Sequence, residues 1–258
     1  MKQRILLGLM VAFGLNLVAQ EKVNPPVAPE KVNPVMEKHT DDISFCVNFD
    51  DENPEAVLAG GGKTIRSVAV KPAFVPGLFG KAMQFGSVSY HGAGNLDFTK
   101  PGTIIYWMAP QNWKQIEKEP YIVPFMAHND ESKILIGRQG DVWGRSRIYA
   151  FVEAVDRKNN VYNGLNGASG RDWKNGEWRM IAVTWTPETI GLSVNGTPLQ
   201  EANLKQPISK SNNGWFSFTA RDREDHQILL DELVVLSRKL TNEELKSLYD
   251  ETMKRVKK

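Results

Sequence analysis

"WRMIAVTWTPETIGLSVNGTPL", residues 178–199, carries two chain reversals in about twenty residues. Ile181, Val183 and Trp185 alternate with Met180, Ala182 and Thr184, which is the period of a strand. "TPET" at 186–189 turns the chain. Ile190, Leu192 and Val194 then return along the same core. Asn195-Gly196 makes the second reversal, because a type I′ turn needs two residues that tolerate positive φ. "NGT" also matches a glycosylation sequon, but the hairpin reading dominates and Pro198 disfavours modification. The stretch is an antiparallel meander: a sheet wall, with function expected in what surrounds it.

The same grammar continues in both directions. "ISFCVNFD", "KAMQF", "GTIIYWMAP", "YIVPFMA", "KILIGR", "RIYAFVEAV", "WFSFTA" and "QILLDELVVLS" all have strand length, and Gly, Pro, Asn and Asp separate them. One helical pattern stands out, "LTNEELKSLYDETMKRV". Thr241 is its N-cap and Glu244 completes a capping box. Leu245, Leu248, Tyr249 and Thr252 share one face, and the helix is expected to close an edge of the fold. The class is all-β, about ten to fourteen strands in one domain over residues 41–258, with a short C-terminal helix.

The start of the chain is different. "MKQR" followed by "ILLGLMVAFGLNLV" and the small residue Ala19 reads as a secretory signal peptide over residues 1–19. The apolar run is short for a membrane span. Residues 20–40 repeat "EKVNP" nine residues apart and read as a Pro-rich tether. The expected location is therefore secreted, periplasmic or cell-surface, in a bacterium. Removing residues 1–19 takes Lys2 and Arg4 from 32 basic residues and no acid, so the mature chain balances 30 against 30. That balance argues against a nucleic-acid partner. Cys46 is the single cysteine, so no internal disulfide forms. In "ISFCVNFD" it lies on the face opposite Phe45, Val47 and Phe49.

"FDDENPEA", "FVPGLFGKAMQFG", "NLDFTKPGTIIYWMAP", the opening meander and "LLDELVVLSRKLTNEELKSLYDE" occur in that order. The series resembles the laminin-G-like, concanavalin A-like lectin/glucanase domains of exported bacterial proteins, and covers residues 43–252. The resemblance implies a jelly-roll sandwich of two antiparallel sheets, one of them concave. That fold serves lectins, glycosidases, lyases and adhesion modules alike. Its pattern also implies that Trp107, Trp178 and Trp185 pack in the core. Related domains hold Ca²⁺ between the first and last strands, where this chain has Asp50, Asp51 and Asp231 with Glu52 and Glu232. Either these acids share a calcium ion, or Asp231 caps backbone amides and the others are solvated.

Catalytic signatures are missing from the sequence. Glycoside hydrolysis needs two carboxylates about 5–10 Å apart, and the Glu-x-Asp-x-x-Glu spacing of laminarinase-like relatives does not occur; Asp222, Glu224 and Asp225, or Glu153 and Asp156, do not reproduce it. No nucleophile elbow, zinc-protease motif or phosphate loop is present. The expected function is non-catalytic binding of a glycan or another surface polymer, with a protein-binding adhesive module as the alternative. Trp113, Trp143 and Trp173 stand in polar loops with Arg145 and Asp172 nearby. They form either an exposed platform for sugar rings or anchors lying back on the sandwich. His128 and Asn129, in "AHNDES", either contact a sugar or form a turn.

Overall fold

A computed structural model of the chain describes residues 33–112, 121–128, 132–139, 147–155, 160–169, 172–209, 214–220 and 227–257. These belong to one compact unit, Lys31–Lys258. The expected signal peptide and the front of the tether fall outside them.

Among the described residues the strands are β1 (Ile43–Val47), β2 (Leu58–Ala59), β3 (Ile65–Pro76), β4 (Lys81–His91), β5 (Gly102–Pro110), β6 (Tyr121–His128), β7 (Ser132–Gln139), β8 (Arg147–Val155), β9 (Asn160–Ser169), β10 (Arg179–Trp185), β11 (Thr189–Val194), β12 (Gln200–Asn203), β13 (Trp215–Ala220) and β14 (Ile228–Leu236). The helices are α1 (Pro34–Lys38) and α2 (Asn242–Val256). All the strand pairs are antiparallel. The back layer runs β12-β11-β10-β5-β14, with β1 and β2 added beside β14. The front layer runs β4-β13-β6-β7-β8-β9, with β3 on the outer side of β4. The pair Leu230–Met83 joins β14 to β4, so the two expected sheets are two layers of one curled sheet.

The meander forms as its sequence dictates. β10 and β11 pair from Ile181–Val194 to Trp185–Ile190. Asn195 and Gly196 have φ of 56° and 67°, the two positive values of a type I′ turn. The Asn195 side-chain oxygen accepts the Met180 amide at 2.9 Å, so this side chain is an internal brace.

Two apolar clusters follow from the alternation. Between the layers, Ile104, Tyr106, Ile181, Val183, Leu230 and Val235 meet Val88, Phe125, Ile136, Phe216 and Phe218. On the outer side of the back layer, Cys46, Ile105, Trp107, Met180, Ala182 and Val234 meet Leu245 and Leu248 of α2. The helix therefore lies across the face of the back layer and does not close an edge. Its capping box is present, with the Thr241 side chain on the Glu244 amide and the Glu244 carboxylate on the Thr241 amide. The ring of Tyr249 stacks on Trp107 at 6.1 Å. Trp185 is buried in the inter-layer core, and Trp178 is partly buried against the back cluster.

The tether ends sooner than its composition suggests. Asn33 accepts the Val35 amide at 3.0 Å and Pro34 occupies the first turn, which makes the second "EKVNP" a helix start. Val35 is buried against the helical side of the molecule. Arg255 of α2 holds the Glu37 carboxylate through two hydrogen bonds, at 2.9 and 2.6 Å. Arg238 ties Asp42 and Glu244 together and meets the His39 ring nitrogen at 2.9 Å. Residues 33–42 thus belong to the folded body.

Candidate functional site

The front layer shows its outer side to solvent. On β13, Phe216, Phe218 and Ala220 enter the core, so Trp215, Ser217 and Thr219 point out. The same alternation turns Ser87, Ser89 and His91 outward on β4 and Met126 and His128 outward on β6. Lys133 and Leu135 on β7, and Arg147, Tyr149 and Phe151 on β8, are half-buried on that side.

Register gathers these side chains into rows. Trp215 stands opposite His91 on one side and His128 on the other. His128 in turn faces Lys133. The His128 ring stacks against Trp215 with centroids 6.0 Å apart and planes 16° from parallel. The guanidinium of Arg66, on β3, lies over the indole at 5.7 Å. In the next row Ser217 stands between Ser89 and Met126, with both serines buried, and in the row after it the hydroxyls of Ser87 and Thr219 are 2.9 Å apart. An indole flanked by imidazoles and a guanidinium, bordered by hydroxyls, combines a flat apolar contact with many hydrogen-bond donors.

His128 therefore sits on a strand within an aromatic cluster and forms no turn. Trp173 does not contribute a platform. It is 5% exposed, donates its indole N–H to the Glu177 carbonyl at 2.6 Å, and is covered by Arg179 at 4.9 Å. It anchors its loop, because packing an indole with its N–H satisfied buries far more apolar area than a solvated face could. Asp172 beside it is exposed. Trp113, Trp143, Arg145 and Asn129 lie outside the described residues.

A second constellation lies on the back layer. Asp231 and Glu232 are 0% and 2% exposed. Between Asp231 and Val234 the register with β5 slips, and Glu232 takes a φ of 56°. The bulge cancels strict alternation and turns both acids away from the inter-layer core. The turn at 76–80, "PGLFG", wraps them. The amides of Leu78 and Phe79 donate to Asp231 Oδ2 at 2.9 and 3.2 Å, and that of Lys81 to Asp50 Oδ1 at 3.1 Å. The turn requires glycine: a Cβ at Gly80 would stand 2.0 Å from Asp50 Oδ1, and one at Gly77 would stand 2.6 Å from Asp231 Oδ2. Asn33 donates its side-chain N–H to Glu232 at 2.6 Å.

Electrostatics set this pocket apart. Burial, then the neighbouring Glu232, push the Asp231 carboxyl well above the ordinary carboxylate range. Burial raises Glu232 to about 8, against the lowering effect of Asn33, and Asp50 adds to the rise. Burial also pushes the Cys46 thiol up. Asp231 Oδ1 is buried and has no hydrogen-bond partner among the described residues. The expected metal trio is revised here. Asp51 is exposed, Glu232 takes the place beside Asp231, and no three His, Cys, Asp or Glu side chains among the described residues form a shell around one ion. Asp231 does cap amides.

Comparison with known proteins follows the same lines. A laminin-G model described as the concanavalin A-like lectin/glucanases superfamily matches residues 84–246. No curated protein matches the sequence. Among solved structures, the binding domain of paraclostridial mosquitocidal protein 1 superposes with a TM-score of 0.62 at 15% identity, covering 82% of this chain and 52% of that one. The ligand-binding domain of botulinum neurotoxin serotype D, in complex with N-acetylneuraminic acid, gives 0.63 at 13%, covering 84% and 52%. The binding domain of botulinum neurotoxin DC, in complex with rat synaptotagmin II, gives 0.63 at 11%, covering 82% and 52%. The chain spans about half the length of these structures, and at such identities the likeness is one of fold.

Proposed function

Since the chain belongs to the concanavalin A-like lectin/glucanase superfamily, we propose that it is a non-catalytic glycan-binding module of an exported bacterial protein. The row built on Trp215 carries this reading. It is the part of the described front layer where an aromatic ring, cationic and imidazole donors and hydroxyl rows converge. Sugar rings need a flat face for their C–H groups and donors or acceptors for their hydroxyls, and this row supplies both. The guanidinium over the indole is exchangeable, so a sugar can take its place while Arg66 turns to the ring's oxygens. Neighbours of the same fold are binding domains, one of them in complex with N-acetylneuraminic acid, which supports the reading. A glycan array probed with the chain tests it: Trp215→Ala should remove binding, and retention of full binding would refute the site.

A protein partner is the second reading. Val68 and Val70, on the edge strand β3, are 46% and 40% exposed. Such a strand offers both an apolar strip and unpaired backbone groups. The neighbour in complex with rat synaptotagmin II supports it by fold alone.

Calcium belongs to the same proposal, as a structural ion at the back pocket. Asp231 Oδ1, which has no hydrogen-bond partner among the described residues, would be its first ligand, and its charge would relieve the crowding of Asp231 and Glu232. Millimolar calcium should raise the melting temperature, and a melting temperature indifferent to calcium and chelator would end the idea. Export by the segment 1–19 is tested by the N-terminus of the mature protein, expected just after Ala19. No helix among the described residues is long and apolar enough to cross a membrane.

A further inference from the structure

Where β4 ends, the chain leaves the Trp215 row and builds a cleft. It is lined by the loop after β4, from residue 93 to 101, by Ser44 of β1, by Trp185 of β10 and by the chain around the end of β14, up to Ser237. Its volume is about 280 Å³, small for a ligand site and enough for one ring. The loop wall is fixed in place. Asn95 is buried; its side-chain oxygen accepts the Gly61 amide at 2.8 Å, and its side-chain N–H groups reach the Gly62 and His91 carbonyls at 3.2 and 3.0 Å. Two backbones touch behind it, since a Cβ at Gly61 would stand 1.7 Å from the Ala93 carbonyl oxygen. The Trp185 indole N–H donates to the Asp97 carbonyl at 3.2 Å. The same loop adjoins the Trp215 row: His91 is the β4 partner of Trp215, and the Gly92 amide donates to the Gly214 carbonyl at 2.9 Å.

The polar groups of the cleft are mostly acceptors. Ser44 donates its hydroxyl to the Asn95 and Val235 carbonyls, at 2.9 and 3.2 Å, and Ser237 donates to the Asp42 carbonyl at 3.1 Å. Each hydroxyl keeps only lone pairs for a ligand. Asp97 Oδ1 is spent on the Thr99 amide and hydroxyl, at 3.0 and 2.6 Å. Against partial burial, those bonds and the Lys100 ammonium hold the Asp97 carboxyl below its ordinary range, so it stays an acceptor. Its Oδ2 lies 3.4 Å from Lys100 Nζ, which puts one acceptor and one donor side by side.

From this we infer that the cleft is a second saccharide subsite, which takes one neutral sugar ring by two adjacent hydroxyls. The inference rests on the glycan reading above and adds a site to it. A hydroxyl both donates and accepts, so one of the pair donates to Asp97 Oδ2 while its neighbour accepts from Lys100. An anionic sugar would meet Asp97 and the serine lone pairs, and an amino sugar would meet Lys100. A glycan longer than one ring then runs from the cleft along the loop to Trp215.

The test titrates the full chain, followed by NMR, with methyl glucoside, methyl galactoside and methyl mannoside, the uronate and the 2-amino form of each, and a neutral tetrasaccharide of each sugar. At least one neutral glycoside should bind more tightly than both of its charged forms. Lys100→Gln and Asp97→Asn should each weaken it about tenfold, the loss of one charge-assisted hydrogen bond. Trp215→Ala should leave that binding in place and weaken the tetrasaccharide. Tetrasaccharide binding lost in Trp215→Ala, yet unmoved by Lys100→Gln and Asp97→Asn, would overturn the cleft and keep the glycan site at Trp215. A charged form that binds more tightly than its neutral parent would also overturn the inference. Binding of no probe, or binding indifferent to all three variants, would overturn both readings. The Lys100 side chain is 76% exposed, so its variant folds and keeps the comparison interpretable.

Discussion

The two layers of this curled sheet share one core and differ in what covers their other side. The back layer is apolar on both faces: β5, β10 and β14 are buried almost along their whole lengths. Its outer face is sealed by α2, α1 and the 76–80 turn. The front layer is apolar on one face and carries Trp215, His128, Ser89 and Lys133 on the other. Apolar alternation on two faces thus marks the layer covered on both sides, and aromatic residues among hydroxyls and cations mark the layer with one open face. The acids sort the same way. Asp231 and Glu232, the two buried acids among the described residues, both belong to the back layer.

This contrast can be broken by mutation. Leu245→Ala should cost about 2–5 kcal/mol in urea unfolding, because it opens a cavity under the sealed back face. A pH series comes next. Glu232 is raised to about 8, so between its unfolded value of 4.5 and that pH the native state holds a proton the unfolded state has lost. Stability should therefore be full below about pH 4.5 and fall as pH rises toward 8. Melting curves should show this loss, Glu232→Gln should flatten it, and bound calcium should offset it. A wild-type profile that rises across the window would contradict the placement of the pair. Thr241→Ala should cost about 1 kcal/mol through the lost cap, seen as a small drop in melting temperature. Arg66→Ala on the front should change stability by no more than about 0.5 kcal/mol. A large loss there would mean that the front row is structural, and the contrast would fail.

Much of this was written in the chain. The hairpin at Asn195-Gly196 and the capping box of α2 follow from local chemistry, and each is present. The turn glycines at 77 and 80 were visible as a motif, but their reason, two carboxylates pressed against the backbone, appears only in three dimensions. The pairing of Asp231 with Glu232 was hidden because neighbours on a regular strand point to opposite sides, and a bulge undid that rule. Trp215 was the costlier omission. Its signal was there: it falls in phase with Ser217 and Thr219 and out of phase with Phe216 and Phe218, which no core tryptophan on that strand would do. Trp173 misled because polar neighbours in sequence do not prevent an indole from folding back. The seat of α2 could not be read from its own stripe, since amphipathicity says which side of a helix is buried and not what it covers. The apolar second phase of β5, Thr103, Ile105 and Trp107, was the clue.

The clasp between Glu37 and Arg255 fixes more than a few contacts. It pins the short helix Pro34–Lys38 to the C-terminal helix on the covered side of the back layer, the side away from the Trp215 row, so the first and last described helices brace one face together.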